Sequence, residues 1–235
     1  MFERGTLPGK APSKYLVRCL RERGAVDAKG VLAEHEKAAR LGKELLLAIV
    51  DEEGDLTYYE VKTQELTAKV QSLPSEGASA VLLDDRVMAL DQDSAKLLFA
   101  EGYFGRDVGI GLQLALPEAT YLADAGKLVV RDATDGRALD AAALSERARK
   151  LEPDFDLRHR LYAHLRRRGV VVKTGFKYGT HFRAYAGAPE EEHAPYLIHA
   201  IAEGRQLPWA EVAGFVRLAH GVRKKLFFAV PRNGA

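Results

Sequence analysis

The chain has 235 residues, 47% of them hydrophobic, and 35 Lys+Arg against 33 Asp+Glu give a formal net charge of +2. That length buries a real core and accommodates one to three small domains, and the apolar content excludes a disordered chain. No apolar run is long enough to cross a bilayer, the start Met1-Phe2-Glu3-Arg4-Gly5 lacks a signal-peptide stretch, and the lone Cys19 excludes an internal disulfide.

A single cysteine suits a reducing cytoplasm, and with seven scattered His it shows no zinc-ligand spacing. No metal site and no cofactor are expected. The charge is uneven. From Pro153 to Ala235 there are 14 Lys+Arg and 7 Asp+Glu, a net +7, so the remainder carries 21 against 26, a net −5. A basic final third beside an acidic remainder points to a polyanionic partner, or else to a solvated basic face.

In chain order, Tyr15 to Arg23 is predicted as a short amphipathic helix stopped by Gly24, and Val31 to Arg40 as a second helix. Leu45 to Val50 is a buried-type strand, Asp51-Glu52-Glu53-Gly54-Asp55 a turn, and Leu56 to Val61 a second strand. Gln71 to Ala78, with Pro, Ser and Gly, is a linker. Ala80 to Leu83 and Arg86 to Leu90 form a hairpin about Asp84-Asp85. Helices follow at Gln92 to Glu101 and Pro117 to Ala125, each ended by Gly, then a strand at Lys127 to Val130.

The last third opens with a helix, Asp156 to Arg168, closed by Gly169. Its Arg166, Arg167 and Arg168 are expected as a solvated end complementing the helix dipole. A strand at Val170 to Lys173 leads to strand and turn over Phe176 to Tyr185, and a strand at His193 to Ile201. A helix at Pro208 to His220 and a strand at Lys224 to Val230 complete the chain.

Two short matches suggest an internal repeat. Leu20 to Val26 resembles Leu165 to Val171 at an offset of 145, and Lys43 to Ile49 resembles Lys224 to Val230 at an offset of 181. On that pairing the second copy holds 36 more residues between its matches, around Tyr185 and His193.

The basic third also concentrates chemistry, in Lys173-Thr174-Gly175-Phe176-Lys177-Tyr178-Gly179-Thr180-His181-Phe182-Arg183-Ala184-Tyr185, in Glu192-His193-Ala194-Pro195-Tyr196 and in Val222-Arg223-Lys224-Lys225-Leu226. A phenol, an imidazole and an ammonium can cleave RNA without metal. One group takes the 2′-hydroxyl proton, one donates to the leaving 5′-oxygen, and one offsets charge on the phosphorus oxygens. An imidazole ionises near neutrality, and carboxylates such as Glu190-Glu191-Glu192 favour its protonated form. Strand alternation sends Lys224 to one face and Arg223 and Lys225 to the other. Taken singly, these residues also fit a core tyrosine, a loop histidine and a solvated strand start. His199, at an apolar-alternating position, is expected to be structural, and His181 to share a face with Arg183.

These motifs, with Leu165 to Gly169 and Arg217 through Leu226, resemble the catalytic domain of the archaeal tRNA-splicing (tRNA-intron) endonuclease family. Leu112-Gln113-Leu114 to Leu128 resembles the family's N-terminal domain. The opening segment, ending at Glu60, resembles the C-terminal domain of a non-catalytic copy. The implied fold is α/β (α+β) and multi-domain, with small mixed sheets flanked by helices. The expected divisions are 1–70 as a degenerate copy with an acidic loop at 51–55, 71–78 as linker, 79–152 as the N-terminal-type domain and 153–235 as the catalytic domain.

The resemblance implies a metal-independent endonuclease that removes introns from precursor tRNA, and cuts other RNA with bulge-helix-bulge sites, leaving a 2′,3′-cyclic phosphate and a 5′-hydroxyl. It assigns Tyr185 as general base, His193 as general acid and Lys224 as electrostatic stabiliser. Arg217 stacks on a bulge base, and Lys173, Lys177, His181 and Arg183 are expected to contact RNA. The family pattern commonly reads His-Ser, where this chain has His193-Ala194. The loop of Asp51, Glu52, Glu53 and Asp55 is an ordinary hairpin turn or, by resemblance, inserts into a basic pocket of an opposite unit. A homodimer is the smallest assembly that places two sites on two bulges, with a further subunit as the open alternative. A non-catalytic RNA-binding or structural subunit of a splicing complex is the competing reading. No membrane partner is expected.

Overall fold

The computed structural model of the protein describes Gly9 and residues 11–189 and 193–230. The Glu190-Glu191-Glu192 run therefore lies outside the described residues. In chain order the elements are β1 (Tyr15–Arg21), β2 (Ala25–Asp27), α1 (Ala28–Arg40), β3 (Glu44–Val50), β4 (Leu56–Val61), β5 (Ala78–Leu83), β6 (Arg86–Ala89), α2 (Gln92–Ala100), β7 (Arg106–Asp107), β8 (Leu112–Leu114), α3 (Leu116–Asp124), β9 (Leu128–Asp132), β10 (Ala138–Leu139), α4 (Ala141–Leu151), α5 (Phe155–Arg167), β11 (Val171–Thr174), β12 (Phe182–Tyr185), β13 (Tyr196–Ala200), β14 (Gln206–Pro208), α6 (Trp209–Gly221) and β15 (Lys225–Ala229). The fold is mixed α+β with small mixed sheets. Among the described residues no helix is long and apolar enough to cross a membrane.

The chain forms two compact units. Among the described residues, one gathers those up to 65 with 201–218 and 230, and the other gathers those of 66–200 with 219–229. In the first, β1 runs parallel to β3, and β4 pairs antiparallel with β3. The near-continuous apolar run of β3, Leu45 to Ile49, is buried, as expected of a central strand covered on both faces. The Asp27 carboxylate caps α1 by accepting from Lys29 N and Gly30 N at 3.1 Å each. β2 pairs antiparallel with β14, with Val26 opposite Leu207. Tyr59 meets Trp209 edge to face at 4.9 Å.

In the second unit the six-stranded sheet β10-β9-β5-β6-β8-β7 and the four-stranded sheet β11-β12-β13-β15 share one apolar core with α2, α3, α4 and α5. Tyr121 of α3 packs on Tyr162 of α5 at 5.7 Å. α4 and the short strands β7, β8 and β10 have no counterpart among the predicted elements. Asp140 caps α4, accepting from Ala143 N at 2.7 Å.

Two expectations fail here. Residues Tyr15 to Arg21 form a strand, not a helix. Leu16, Val17 and Leu20 fit either period. Register with β3, from Tyr15 opposite Glu44 to Arg21 opposite Val50, decides the outcome, because pairing against a buried strand outweighs a weak local preference. Arg166 is not solvated either; it is 1% exposed. Its guanidinium donates to the carbonyls of Gln71 at 3.1 Å and Val170 at 3.4 Å and lies 4.1 Å from the Phe104 ring centre. Carbonyl acceptors and an aromatic face offset its desolvation.

The internal repeat is clearer than the sequence matches indicate, and it has one offset. Tyr15 pairs with Glu44 and Tyr196 with Lys225, each parallel and each 29 residues on. β2 and β14 have the same length, as do α1 and α6, and each pair lies 181 residues apart. Backbone bonds repeat as well. Glu44 N donates to Lys14 O and Lys225 N to Pro195 O, both at 2.9 Å, while Lys43 N donates to Ala38 O and Lys224 N to Ala219 O, again at 2.9 Å. The match at an offset of 145 is fortuitous. It sets the end of β1 and β2 against the end of α5 and β11.

Candidate active site

Tyr185 ends β12, which lies between β11 and β13. Its pairing with Val171 fixes the strand end, and the ring is buried at 4% exposure. It clusters with Val171 and Ala194, and Val70 and Tyr103 pack against that cluster. Arg183, two residues earlier on the strand, holds its guanidinium carbon 5.9 Å from the Tyr185 ring centre.

His193 is exposed and directly precedes Ala194. Lys224 follows the end of α6. Arg223 N donates to His220 O at 3.0 Å, and Arg223 takes the left-handed conformation, φ 54°, that turns the chain into β15. The Lys224 ammonium donates to the Ala194 carbonyl, and the bond from Lys225 N to Pro195 O fixes the same two segments.

Ala194 is thus the meeting point. It shares a buried cluster with Tyr185 and Val171, its carbonyl receives Lys224, and its amide nitrogen belongs to the peptide bond from His193. Only the three motifs were visible in the sequence; the small residue that joins them carries no signal of its own. Tyr178 was likewise missed. The Lys224 and Lys177 ammonium groups lie 5.6 and 4.9 Å from its ring centre. Each cation is attracted to the aromatic ring.

The remaining candidates divide. Lys177 is exposed beside Tyr178. Lys173 turns inward. Its ammonium donates to Gly105 O and lies 3.9 Å from the buried Glu118 carboxylate. Desolvation lowers its pKa from the ordinary lysine value while Glu118 opposes the shift. Glu118 also accepts from Gly105 N at 2.8 Å and Ala115 N at 3.2 Å, so this pair ties β11 to the β7–β8 region and is not placed to meet RNA.

His181 accepts from Ala200 N at 2.9 Å through Nδ1, has Nε2 3.1 Å from Asp154, and stacks on His199 at 4.3 Å. That is a structural environment. Arg217 is exposed on the stretch of α6 assigned to the first unit. In the acidic loop Asp51 Oδ1 accepts from Glu53 N at 3.0 Å and Asp55 N at 2.8 Å, closing the turn, and Glu52 pairs with Arg23.

Comparison with known proteins fits this arrangement. The description "tRNA intron endonuclease, catalytic C-terminal domain" matches residues 4–58 and 155–235, and "tRNA intron endonuclease, N-terminal domain" matches 78–144. A tRNA-splicing endonuclease of Methanosarcina acetivorans is 38% identical over 238 residues, covering 99% of this chain and 68% of that protein. Its counterpart in Methanococcoides burtonii is 36% identical over 236 residues, covering 98% of this chain and 67% of that protein. One from Hyperthermus butylicus is 36% identical over 166 residues, covering 66% of this chain and 91% of that protein.

Fold and matched domains together define an RNA endonuclease of the tRNA-processing class. The chain belongs to the tRNA intron endonuclease family.

Proposed function

We propose that this protein is a metal-independent endoribonuclease that removes introns from precursor tRNA at bulge-helix-bulge sites. Tyr185 takes the proton of the 2′-hydroxyl, and the resulting oxygen attacks the adjacent phosphorus. The bond to the 5′-oxygen breaks, and His193 protonates that oxygen as it leaves. The products are a 2′,3′-cyclic phosphate and a 5′-hydroxyl. Lys224 offsets the charge that builds on the phosphorus oxygens. The observation that supports this reading is the bond from the Lys224 ammonium to the carbonyl of Ala194, which directly follows His193 and belongs to the buried cluster of Tyr185.

The opening segment serves as a non-catalytic copy of the catalytic domain. Extending the repeat back three residues from Tyr15, as His193 lies three before Tyr196, puts Pro12 in the position of the acid, while Lys43 stands in the position of Lys224. A copy with a cation but no acid cannot complete the reaction. One chain then supplies one active site, and two bulges call for a homodimer. The acidic loop at 51–55 bridges to the basic domain of the second chain.

The test uses the purified chain with a bulge-helix-bulge RNA and with the same RNA carrying both bulges closed by complementary bases. Cleavage at both bulges of the first, little of the second and a particle of twice the chain mass are expected. Cleavage of both RNAs alike, or none without added protein, overturns the reading.

A further inference from the structure

Phe176 is 88% exposed, more than any other large hydrophobic residue described. It begins a 3-10 turn, Phe176–Tyr178, whose other end carries the Tyr178 ring beside the Lys224 ammonium. Exposed single apolar residues are common and usually mean little. This one stands on a turn built to hold it out. Tyr178 N donates to Gly175 O at 2.8 Å, Gly179 N to Phe176 O at 2.9 Å and Gly175 N to His181 O at 3.1 Å. Gly179 supplies the left-handed φ of 65° that ends the turn. At Gly175 a Cβ would lie 2.4 Å from Thr180 Oγ1 and 2.8 Å from the Phe182 backbone, so only glycine lets the turn seat this closely.

A rigid turn with an outward ring, followed at once by exposed Lys177 and leading to Lys224, joins an aromatic face to positive charge. That is the combination that binds unpaired nucleotides, with bases stacked on the ring and phosphates on the cations. We propose that Phe176 is a stacking platform for an unpaired base next to the scissile phosphate, with Lys177 holding that nucleotide's phosphate. The proposal rests on the endonuclease reading above and adds to it the group that positions the flexible strand. A bulge nucleotide has no partner base to fix it, and stacking on a preorganised ring lowers the cost of ordering it. Phe176 and Tyr178 belong to one turn, and the Tyr178 ring centre lies 5.6 Å from the Lys224 ammonium.

The experiment uses bulge-helix-bulge RNA with 2′-deoxy sugars at the cut positions, so that it binds without being cleaved. 2-Aminopurine replaces one bulge base at a time. Binding to the wild type should quench one of these probes. Phe176→Leu should abolish that quench and weaken binding by about tenfold, the range of a single base–aromatic stack. Phe176→Trp should restore both. Circular dichroism and particle mass should not change in either variant, because the side chain touches little of the fold. Equal quenching and affinity in Phe176→Leu overturn the platform. A variant that loses affinity together with its dimer mass overturns it too, by showing the ring to be a protein contact. Failure of the wild type itself to bind or cut the bulged RNA defeats the endonuclease reading instead.

Discussion

The Lys224 ammonium donates to the main-chain carbonyl of Ala194, the residue that follows His193. A cation from the end of α6 is therefore fixed to the segment that presents the imidazole. Ala194 also belongs to the buried cluster of Tyr185, so a change at any of the three is expected to act on one site.

His193→Ala should lower the cleavage rate by about 10²–10⁴-fold with RNA affinity nearly unchanged, the usual value of a positioned acid. His181→Ala should behave differently. It removes the acceptor for Ala200 N and the stack on His199, so melting temperature should fall more than the rate at a permissive temperature. Single-turnover kinetics and thermal melts on both variants decide. A larger rate loss from His181→Ala would reassign the acid.

Lys224→Ala should reduce the rate far more than Lys225→Ala. The Lys225 side chain is exposed and its backbone bond to Pro195 survives the substitution, whereas Lys224 is the ammonium beside Ala194. Rates at several salt concentrations separate the two. Equal losses, both erased by salt, would mean that the run acts only as a diffuse basic patch.

Arg223→Gly should make the fold more stable. Arg223 holds φ 54° at the position where the first copy has Gly42 at φ 65°. A left-handed L-residue costs about 1–2 kcal/mol, and glycine gives back about 0.5–1 kcal/mol in lost chain freedom, so a net gain of about 1 kcal/mol is expected by urea titration. A loss of stability would show that the guanidinium contributes contacts outweighing its backbone.

The repeat shows where the sequence was legible and where it was not. Most helices and the long strands β3 and β15 stand out by composition and by their Gly stops. β1 does not, because Tyr15 to Arg21 becomes a strand only by lying beside β3. Arg166 reads as one of three solvated arginines, since nothing local announces that Phe104 and the Gln71 carbonyl will enclose it. The three chemical groups were visible as motifs. The bond from Lys224 to the Ala194 carbonyl was not, and neither was the inward turn of Lys173 towards Glu118.

The acidic loop offers a sharper test once its internal bonds are known. Asp51 closes the turn through Glu53 N and Asp55 N, so Asp51→Ala should disturb the loop itself. Replacing Glu52, Glu53 and Asp55 by Ser spares that carboxylate and removes only charge directed outward and the surface pair with Arg23. Sedimentation should show the triple variant loosening as a dimer at lower salt than the wild type, with cleavage falling in parallel. A fully active dimer from that variant would reduce the loop to an ordinary turn.

Product analysis in excess EDTA tests the central claim most directly. The account predicts that a bulged RNA is still cut at the wild-type rate, that the upstream fragment ends in a 2′,3′-cyclic phosphate, and that the downstream fragment carries a 5′-hydroxyl and accepts phosphate from a kinase without prior phosphatase treatment. Loss of cleavage in EDTA with recovery on adding Mg²⁺, or a 5′-phosphate on the product, would contradict general acid–base cleavage by Tyr185, His193 and Lys224.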